Sequence, residues 1–411
     1  MWNSEKMVAS IQSQDLQHAD KYFERALRED DEQILLELGA YLESIGFLPQ
    51  AKRIYDQLRE RYPEVNLNLA QIVAEDGDIE EAFLYLDAID SESEDYVNAL
   101  IIMADLYQME GLADVARDKL EQALSLSDHP LIRFGLAEMQ MEVGDFKEAI
   151  TNYATLDNRD ILEETGISTY ERIGRAYADM GKFESAIEFL EKAVEIDYDD
   201  MTVFELATLL FEQEEYQRAN LYFKQLDTMN PDFAGYEYYY AQSLHEEHRI
   251  EEALTLSQQG LSKNEYDSQL LLLASQLAYE NHEAKLSESY LLSAKELAED
   301  MEEVVLRLTN LYLEEERYEE VVSMAEEDID NLLAKWNIAK AYKALDQEEE
   351  AFAIYQDLAK DLNQNPDFLY DYAYILREFG QLKKAEETAK AYLTLVPDDL
   401  NMQNFLEELD F

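Results

Sequence analysis

Residues 170–186 read YERIGRAYADMGKFESA and decide the fold of the chain. Apolar residues recur every three or four positions as far as Tyr177, and the pattern resumes at Phe183 after a glycine at 181. This period predicts two amphipathic helices joined by a short turn. The small residues Gly174 and Ala186 would let the two helices approach closely, with larger side chains interlocking around them.

The small residue at 186 has counterparts along almost the whole chain. They are Ala19, Ala51, Ala82, Ala116, Ala149, Ala186, Ala219, Ala253, Ser287, Val321, Ala351 and Ala385. Successive intervals run from 30 to 37 residues, and most are 33 or 34. A period near 34 with a small residue at the helix crossing is the tetratricopeptide signature. Because one helix pair cannot bury its apolar face alone, the pairs are expected to stack.

The chain therefore resembles the tetratricopeptide repeat family, in its stand-alone cytosolic bacterial form. In a repeat numbered 1 to 34, the family prefers particular residues at positions 4, 7, 8, 11, 15, 17, 20, 24 and 27. The sixth repeat supplies Tyr170, Ile173, Gly174, Tyr177, Gly181, Phe183, Ala186, Leu190 and Ala193. The resemblance implies an all-α, right-handed superhelical solenoid of antiparallel helix pairs. About twelve repeats would fill residues 1–397, and a capping helix would follow at 398–411.

Several repeats depart from the family pattern. Lys6 and Met7 replace the expected leucine and glycine, which predicts an opening helix that frays or acts as a cap. Repeats eight to eleven lack the turn glycine and carry His248, His282, Glu316 and Asp346 instead. The longest and shortest intervals predict bends near residues 156–165 and 328–332.

The chain is strongly acidic, with 92 acidic and 33 basic residues and a formal net charge of −59. This charge argues against binding of nucleic acid or anionic lipid, both of which require a basic surface. It fits either a soluble, elongated protein or the attraction of a basic partner surface. The chain has no cysteine, signal-peptide pattern or long apolar run, so we expect a cytoplasmic protein without a membrane span.

The sequence contains no recognisable catalytic or cofactor motif. It has neither a GxGxxG fingerprint nor a P-loop, and without cysteine it has no thiol nucleophile. His245 and His248 could share a metal, but they lack the HExxH arrangement, and we interpret His248 as a turn residue. We therefore expect no enzyme activity, no cofactor and no metal.

Aromatic residues are concentrated on one predicted face. The resemblance implies that the first helices line a concave groove, with positions 2, 5, 6, 9 and 12 pointing into it. These positions hold Phe134, Phe204, Phe211, Tyr238, Tyr239, Tyr279, Trp336, Tyr370 and Tyr374, whereas the outward positions of the second helices hold no aromatic residue. Such rings often anchor protein interfaces. Alternatively, individual rings pack against a neighbouring repeat.

Basic residues and asparagines at the same positions complete the predicted site. Arg172, Arg175, Arg307 and Lys340 indicate a ligand with a carboxylate or acidic element, unless they pair with nearby glutamates. Asn310 and Asn337 match places where peptide-binding members of the family hold the ligand backbone. A full carboxylate clamp is not expected, because acidic or apolar residues occupy its basic positions. These positions are Leu306, Asp367 and Asp371.

The predicted function is a scaffold or adaptor that binds a peptide or helix of a partner protein in the groove. The alternative is a peptide-sensing regulator that acts through protein partners. The predicted binding residues are Arg172, Arg175, Phe204, Tyr238, Tyr239, Arg307, Asn310, Trp336, Asn337, Lys340, Tyr370 and Tyr374.

Overall fold

The computed structural model describes residues 2–297, 301–326 and 329–409, and within these ranges it is helical without a β-strand. The first thirteen helices are α1 (Asn3–Gln12), α2 (Leu16–Glu29), α3 (Glu32–Ser44), α4 (Leu48–Leu58), α5 (Val65–Glu75), α6 (Ile79–Asp87), α7 (Tyr96–Met109), α8 (Ala113–Leu126), α9 (Pro130–Val143), α10 (Phe146–Ala154), α11 (Asn158–Thr165), α12 (Thr169–Asp179) and α13 (Phe183–Ile196). They are followed by α14 (Asp200–Glu212), α15 (Tyr216–Met229), α16 (Tyr236–Glu246), α17 (Ile250–Lys263), α18 (Ser268–Glu280), α19 (Ala284–Leu297), α20 (Glu302–Glu314), α21 (Tyr318–Ser323), α22 (Leu332–Ala344), α23 (Glu348–Leu358), α24 (Pro366–Glu378), α25 (Leu382–Leu395) and α26 (Leu400–Leu409). A 3₁₀ turn at Met324–Glu326 extends α21. The predicted all-α fold of antiparallel helix pairs is confirmed.

The turn inside each helix pair contains a residue with positive φ. Gly181 has φ of 69°, and the N–H groups of Gly181 and Lys182 donate to the carbonyls of Ala178 and Tyr177, both at 2.8 Å. This is a Schellman-type helix end, which satisfies carbonyls that the helix leaves unpaired. The same turn position has φ between 56° and 63° at His248, His282, Glu316 and Asp346. These residues therefore take the turn position that the sequence predicted for them.

The recurring small residue lies where the two helices of a pair cross. Ala51, Ala186 and Ala351 are at most 1% exposed. Close approach is also visible at Gly174, where an added Cβ would lie 2.7 Å from Leu190 Cγ. The predicted close approach of the paired helices is therefore confirmed in that repeat.

The chain divides into two compact units, which we call the N-terminal unit (Met1–Leu206) and the C-terminal unit (Ala207–Phe411). In the N-terminal unit the pairs are α1–α2, α3–α4, α5–α6, α7–α8, α9–α10 and α12–α13. The pairs of the C-terminal unit include α16–α17, α18–α19, α20–α21, α22–α23 and α24–α25. The division falls within α14, whose second part leads into α15.

The opening helix α1 is better formed than its poor fit to the family pattern suggested. Met7 is 1% exposed and belongs to the same buried cluster as Phe23 of α2. The carboxylate of Asp30 accepts hydrogen bonds from the backbone N–H groups of Ser4 at 2.7 Å and Asn3 at 3.2 Å. These bonds satisfy donors that every helix N-terminus leaves unpaired.

Helices also occur outside the pairs. Residues 158–165 of the longest interval form α11, whose Ile161 is buried. In α26, Met402 and Phe405 are buried. Asp328, at the second predicted bend, lies outside the described residues, and both bends remain predictions.

Candidate functional site

The predicted groove rings differ widely in burial. Phe134 and Trp336, both at position 5, are 7% and 6% exposed, whereas Tyr239 at position 6 and Tyr279 at position 12 are 36% and 44% exposed. The ring of Phe134 packs edge-on against Tyr153 at position 24 of the same repeat, 5.8 Å between centroids. Phe134 therefore contributes to the interface within its repeat, whereas Phe204, Tyr238 and Tyr370, also at position 5, are only half-buried.

Trp336 is the clearest example of a predicted groove residue that packs inside the fold. Its indole Nε1 donates to the hydroxyl of Tyr355 at 3.1 Å, and its ring meets Phe368 at a centroid distance of 5.7 Å. These partners belong to α23 and α24, so the indole fills the junction between two repeats. Packing accounts for this residue, as the alternative interpretation of the rings allowed.

Phe204, Tyr238 and Tyr239 were predicted from the same positional rule. Phe204, in the N-terminal unit, is half-buried. In the C-terminal unit, Tyr238 and Tyr239 meet edge-on at 5.4 Å, and Tyr239 also contacts the ring of Phe211 at 6.2 Å. The Tyr238 hydroxyl accepts a hydrogen bond from Gln242 at 3.0 Å. This aromatic group keeps accessible surface on Tyr239.

Tyr370 and Tyr374 contact the end of the chain. The ring of Tyr370 packs against Tyr392 of α25 at 5.6 Å, and that of Tyr374 packs against Phe405 of α26 at 4.6 Å. Burial raises the pKa of Tyr374 to about 12, so its phenol stays neutral in the physiological range. Both rings are half-buried, and that of Tyr374 helps to attach α26.

Arg172 and Arg175 lie in α12 within a network of carboxylates. Arg172 Nε contacts Glu138 at 2.9 Å, and Arg175 Nε contacts Glu205 at 2.8 Å. Both guanidinium groups also contact Glu171, whose pKa is raised by burial despite these cations. The two arginines are therefore paired with glutamates of the chain, as the alternative interpretation proposed.

Lys340 is held between a ring and a carboxylate in the C-terminal unit. Its Nζ lies 3.5 Å from the centroid of the Trp336 ring and 3.9 Å from Asp371. Burial lowers the pKa of Lys340 and raises that of Asp371. The nearby Lys343 and Arg377 form ion pairs with Glu378 and Glu408.

One cavity brings together three of the residues that the groove positions identified. It has a volume of about 550 Å³ and lies between α18, α19 and α20. Its lining includes Tyr279, Arg307 and Asn310. Arg307 Nη1 donates to the Leu272 carbonyl of the preceding repeat at 3.0 Å, and Nη2 pairs with Glu303 at 2.6 Å.

Asn310 and Asn337 are adjacent and have different roles. Asn337 is buried, and its Nδ2 donates to Thr309 Oγ1 at 3.1 Å and to Asn310 Oδ1 at 2.6 Å. The exposed Asn310 therefore has its oxygen occupied, while no acceptor for its Nδ2 is found in the described part of the chain. An amide nitrogen carries two donors, so Asn310 keeps donor capacity at the cavity that it lines.

The positional rule missed several residues that line this cavity. Ser275 and Gln276 come from α18 at positions 8 and 9, and Glu314 comes from α20. The hydroxyl of Tyr279 donates to Glu314, which orients the ring at the cavity wall. Gln276 occupies the same position as Asn310 one repeat earlier, so its place in the repeat was an available signal.

The described residues contain no group of three or more potential metal-binding side chains, and none of their helices combines the length and apolarity needed to cross a bilayer. His245 Nε2 contacts Glu280 at 2.7 Å, whereas His248 occupies the turn with φ of 60°. The two histidines thus serve different local structures.

Tetratricopeptide family models match four parts of the chain. A YpiA-like tetratricopeptide repeat model matches residues 108–161, and a YpiA-like C-terminal tetratricopeptide repeat model matches residues 333–399. General tetratricopeptide repeat models match residues 36–96 and 167–200. A curated relative is the TPR repeat-containing protein YpiA of Bacillus subtilis (strain 168). It is 28% identical over 395 residues, which cover 94% of this chain and 91% of the relative.

Solved structures with similar helix arrangements include the APC/C hetero-tetramer Cut9–Hcn1, with 12% identity, coverage of 98% of this chain and 95% of that chain, and a TM-score of 0.36. Another is YrrB, described as a TPR protein with an unusual peptide-binding site, with 16% identity, coverage of 48% and 97%, and a TM-score of 0.38. The family matches fall on the helix pairs described above, and the chain belongs to the tetratricopeptide repeat family.

Proposed function

We propose that the protein is an interaction scaffold that binds an extended segment of a partner protein in the cavity between α18, α19 and α20. The observation that supports this most directly is the meeting of Arg307, Asn310 and Tyr279 around one cavity of about 550 Å³. Stacked helical repeats expose long surfaces that suit such binding. The aromatic ring and the polar donors at this cavity are the groups that commonly fix a peptide in place.

Arg307 supplies a positively charged group that is already positioned. Its contact with the Leu272 carbonyl fixes the guanidinium against the previous repeat, while Glu303 is an exposed partner on the same helix. Exposed ion pairs contribute little free energy, so a ligand carboxylate can compete with Glu303. A guanidinium has five N–H donors, which leaves donors for an acidic or carbonyl group of the partner.

In this proposal, the amide of Asn310 donates to the backbone of the bound peptide. Because Asn337 holds its Oδ1, the orientation of the amide is fixed before a ligand arrives. Donors that are oriented in advance bind with a smaller loss of conformational entropy. In this proposal Asn310 touches the ligand, whereas Asn337 is a positioning residue.

The test is peptide binding by the full chain. A phage-displayed library of random twelve-residue peptides is selected on the native protein, and a selected peptide is labelled and titrated by fluorescence polarisation. The Arg307→Ala/Asn310→Ala variant should bind this peptide at least roughly tenfold more weakly, because two central contacts are lost.

The matched control is Arg159→Ala/Asn401→Ala, which removes the same residue types from exposed positions elsewhere. It should bind like the native chain. Undiminished affinity of the Arg307→Ala/Asn310→Ala variant, with native circular dichroism, would remove the proposed site.

A further inference from the structure

Gly135 lies inside α9, where the fold does not require a glycine. Its backbone has helical dihedral angles, and an added Cβ would meet only Leu120 Cδ1 at 3.7 Å and Cδ2 at 3.9 Å, which are ordinary contacts. In contrast, a Cβ at Gly174 would lie 2.7 Å from Leu190. Glycine weakens a helix interior relative to alanine, so its presence at 135 needs another reason.

The missing side chain at Gly135 opens a cavity in the N-terminal unit. This cavity has a volume of about 580 Å³ and lies between α7, α8 and α9. Much of its lining is apolar, including Ile101, Leu131 and Ile132. Gly135 occupies groove position 6, where the sixth repeat carries the long side chain of Arg172. A glycine at such a position lets a ligand backbone approach closely.

Asp105 adds an unpaired charge to the same cavity. Among the residues that the structure describes, none donates a hydrogen bond to its carboxylate or forms an ion pair with it. Partial desolvation raises the pKa of Asp105, although the residue as a whole stays exposed to solvent. Glu138, another carboxylate in the lining, is already engaged by Arg172 and by the hydroxyl of Tyr153. Asp105 is therefore the carboxylate with capacity for an incoming cation.

We propose that this cavity is a second binding site, for a segment of a partner polypeptide that presents a lysine or arginine beside an apolar side chain. The cationic group contacts Asp105, the apolar side chain packs against Ile101 and Ile132, and the backbone passes over Gly135. The charge of the chain favours this partner, because a net charge of −59 attracts a basic segment. The site lies wholly in the N-terminal unit and does not depend on the cavity around Arg307.

The experiment compares two synthetic peptides that differ only in charge. Both are fluorescein-labelled twelve-residue peptides with leucines at fixed positions, and the residue between two leucines is arginine in one and glutamine in the other. Their affinities for the full native chain are measured by fluorescence polarisation at 150 mM salt. The arginine peptide should bind roughly tenfold more tightly, because a partly desolvated ion pair is worth about one decade in affinity.

Asp105→Asn should remove this preference, because the amide keeps the shape of the carboxylate and loses its charge. The control Asp76→Asn makes the same change at an exposed turn of the same unit and should keep the preference. Equal loss in both variants would show that the overall field of the acidic chain attracts the peptide, and would overturn the assignment of Asp105. Equal affinities of the two peptides for the native chain would also overturn it.

Gly135→Ala separates a binding role from a structural one. The added methyl fits and favours the helix, so the variant should unfold at a higher temperature than the native chain. It should nevertheless bind both peptides more weakly, and Gly135→Leu should weaken binding at least roughly tenfold by filling the cavity. Native-like affinity in a folded Gly135→Leu variant would sink the proposal. The Arg307→Ala/Asn310→Ala variant should bind both peptides like the native chain.

Discussion

The two units form the same helix-pair turn with different residues. In the N-terminal unit the turn residue is mainly glycine, at Gly46, Gly77, Gly111, Gly144 and Gly181. In the C-terminal unit it is mainly a residue with a side chain, at Glu214, His248, His282, Glu316 and Asp346, with φ between 56° and 63°. The shared positive φ shows that the repeat dictates the backbone conformation of the turn. The type of residue at the turn position then determines how much free energy this conformation costs. A left-handed conformation costs an ordinary residue about 1–2 kcal/mol, and glycine almost nothing.

The largest expected effect is a stabilised C-terminal unit. Replacing its five strained turn residues together by glycine should raise the free energy of unfolding of this unit by about 3–4 kcal/mol. Each site should contribute about 0.5–1 kcal/mol, because relief of strain exceeds the added entropy of the unfolded chain. The five sites are Glu214, His248, His282, Glu316 and Asp346. Urea unfolding followed by hydrogen-exchange mass spectrometry measures the gain separately in each unit.

The control places a glycine where φ is helical. Glu387→Gly, at an exposed position within α25, should instead lower stability by about 1 kcal/mol. If the fivefold variant and the native chain had the same urea midpoint of unfolding, strain at the turns could not explain a difference in stability between the two units.

Much of this comparison was predictable from the sequence, because the turn residue and the recurring small residue lie a fixed number of residues apart. The turn residue stands five positions before the recurring small residue, which correctly identified His248 and Asp346. Gln14 and Glu214 stand at the same spacing, and φ is 61° at each of them. The rule therefore identifies these two turn residues as well, although they are not among the missing turn glycines predicted above. Local backbone geometry was therefore accessible from spacing alone.

The binding surface was less predictable, because it depends on contacts between helices. Trp336 was assigned to the groove by its position, yet its burial depends on Tyr355 and on Phe368 of the next repeat. The cavity at Gly135 depends on the absence of a side chain, which a pattern of large residues at fixed positions does not reveal. Positional rules identify which side of a helix a residue is on, but not how neighbouring side chains cover it.

A second test probes the close approach of α12 and α13 in the N-terminal unit. Gly174→Ala should lower the free energy of unfolding by about 1–2 kcal/mol, because the new methyl would lie 2.7 Å from Leu190 Cγ and 3.2 Å from its backbone nitrogen. That cost exceeds the gain of about 1 kcal/mol in helix propensity. The control is Gly135→Ala, which adds the same methyl where there is space for it and should raise the free energy of unfolding by about 0.5–1 kcal/mol. Urea unfolding of the Gly174→Ala and Gly135→Ala variants checks both values. Equal effects at the two sites would contradict the prediction.

A third test introduces a residue with a side chain at a positive-φ turn of the N-terminal unit, as the C-terminal unit has naturally. Gly144→Ala should cost about 1 kcal/mol, because Gly144 has φ of 84° and nothing lies within 4 Å of an added Cβ. Backbone conformation alone then determines the loss. Gly144→Asn should cost less, since asparagine tolerates this conformation better than alanine. Thermal unfolding of both variants gives the order, and a smaller loss for alanine than for asparagine would contradict the explanation.

The smallest effect concerns the way the chain ends are closed. Both α1 and α26 bury apolar residues and accept a carboxylate cap, from Asp30 at the start of α1 and from Asp399 at the start of α26. Burial opposes ionisation of Asp30, but hydrogen bonds from Ser4 and Asn3 outweigh it and lower the pKa below 3.8. A carboxylate at a helix N-terminus also interacts favourably with the helix dipole. Asp30→Asn should therefore cost about 0.5–1 kcal/mol, with faster hydrogen exchange confined to α1 and α2.

The pH dependence of this loss distinguishes the charge of Asp30 from its shape. A group whose pKa is lowered on folding stabilises the native state fully above its unfolded pKa, and that stability is lost as the pH falls through the folded pKa. Because both values for Asp30 lie near or below 4, the penalty of Asp30→Asn should be fully present at pH 5.5 and should shrink as the pH falls below about 4, where the carboxyl becomes protonated. A penalty that shrinks at pH 5.5 would mean that Asp30 is already partly protonated there, which the hydrogen bonds to Ser4 and Asn3 oppose. A penalty that persists unchanged below about pH 4 would mean that the shape of the Asp30 side chain, and not its charge, holds the start of α1.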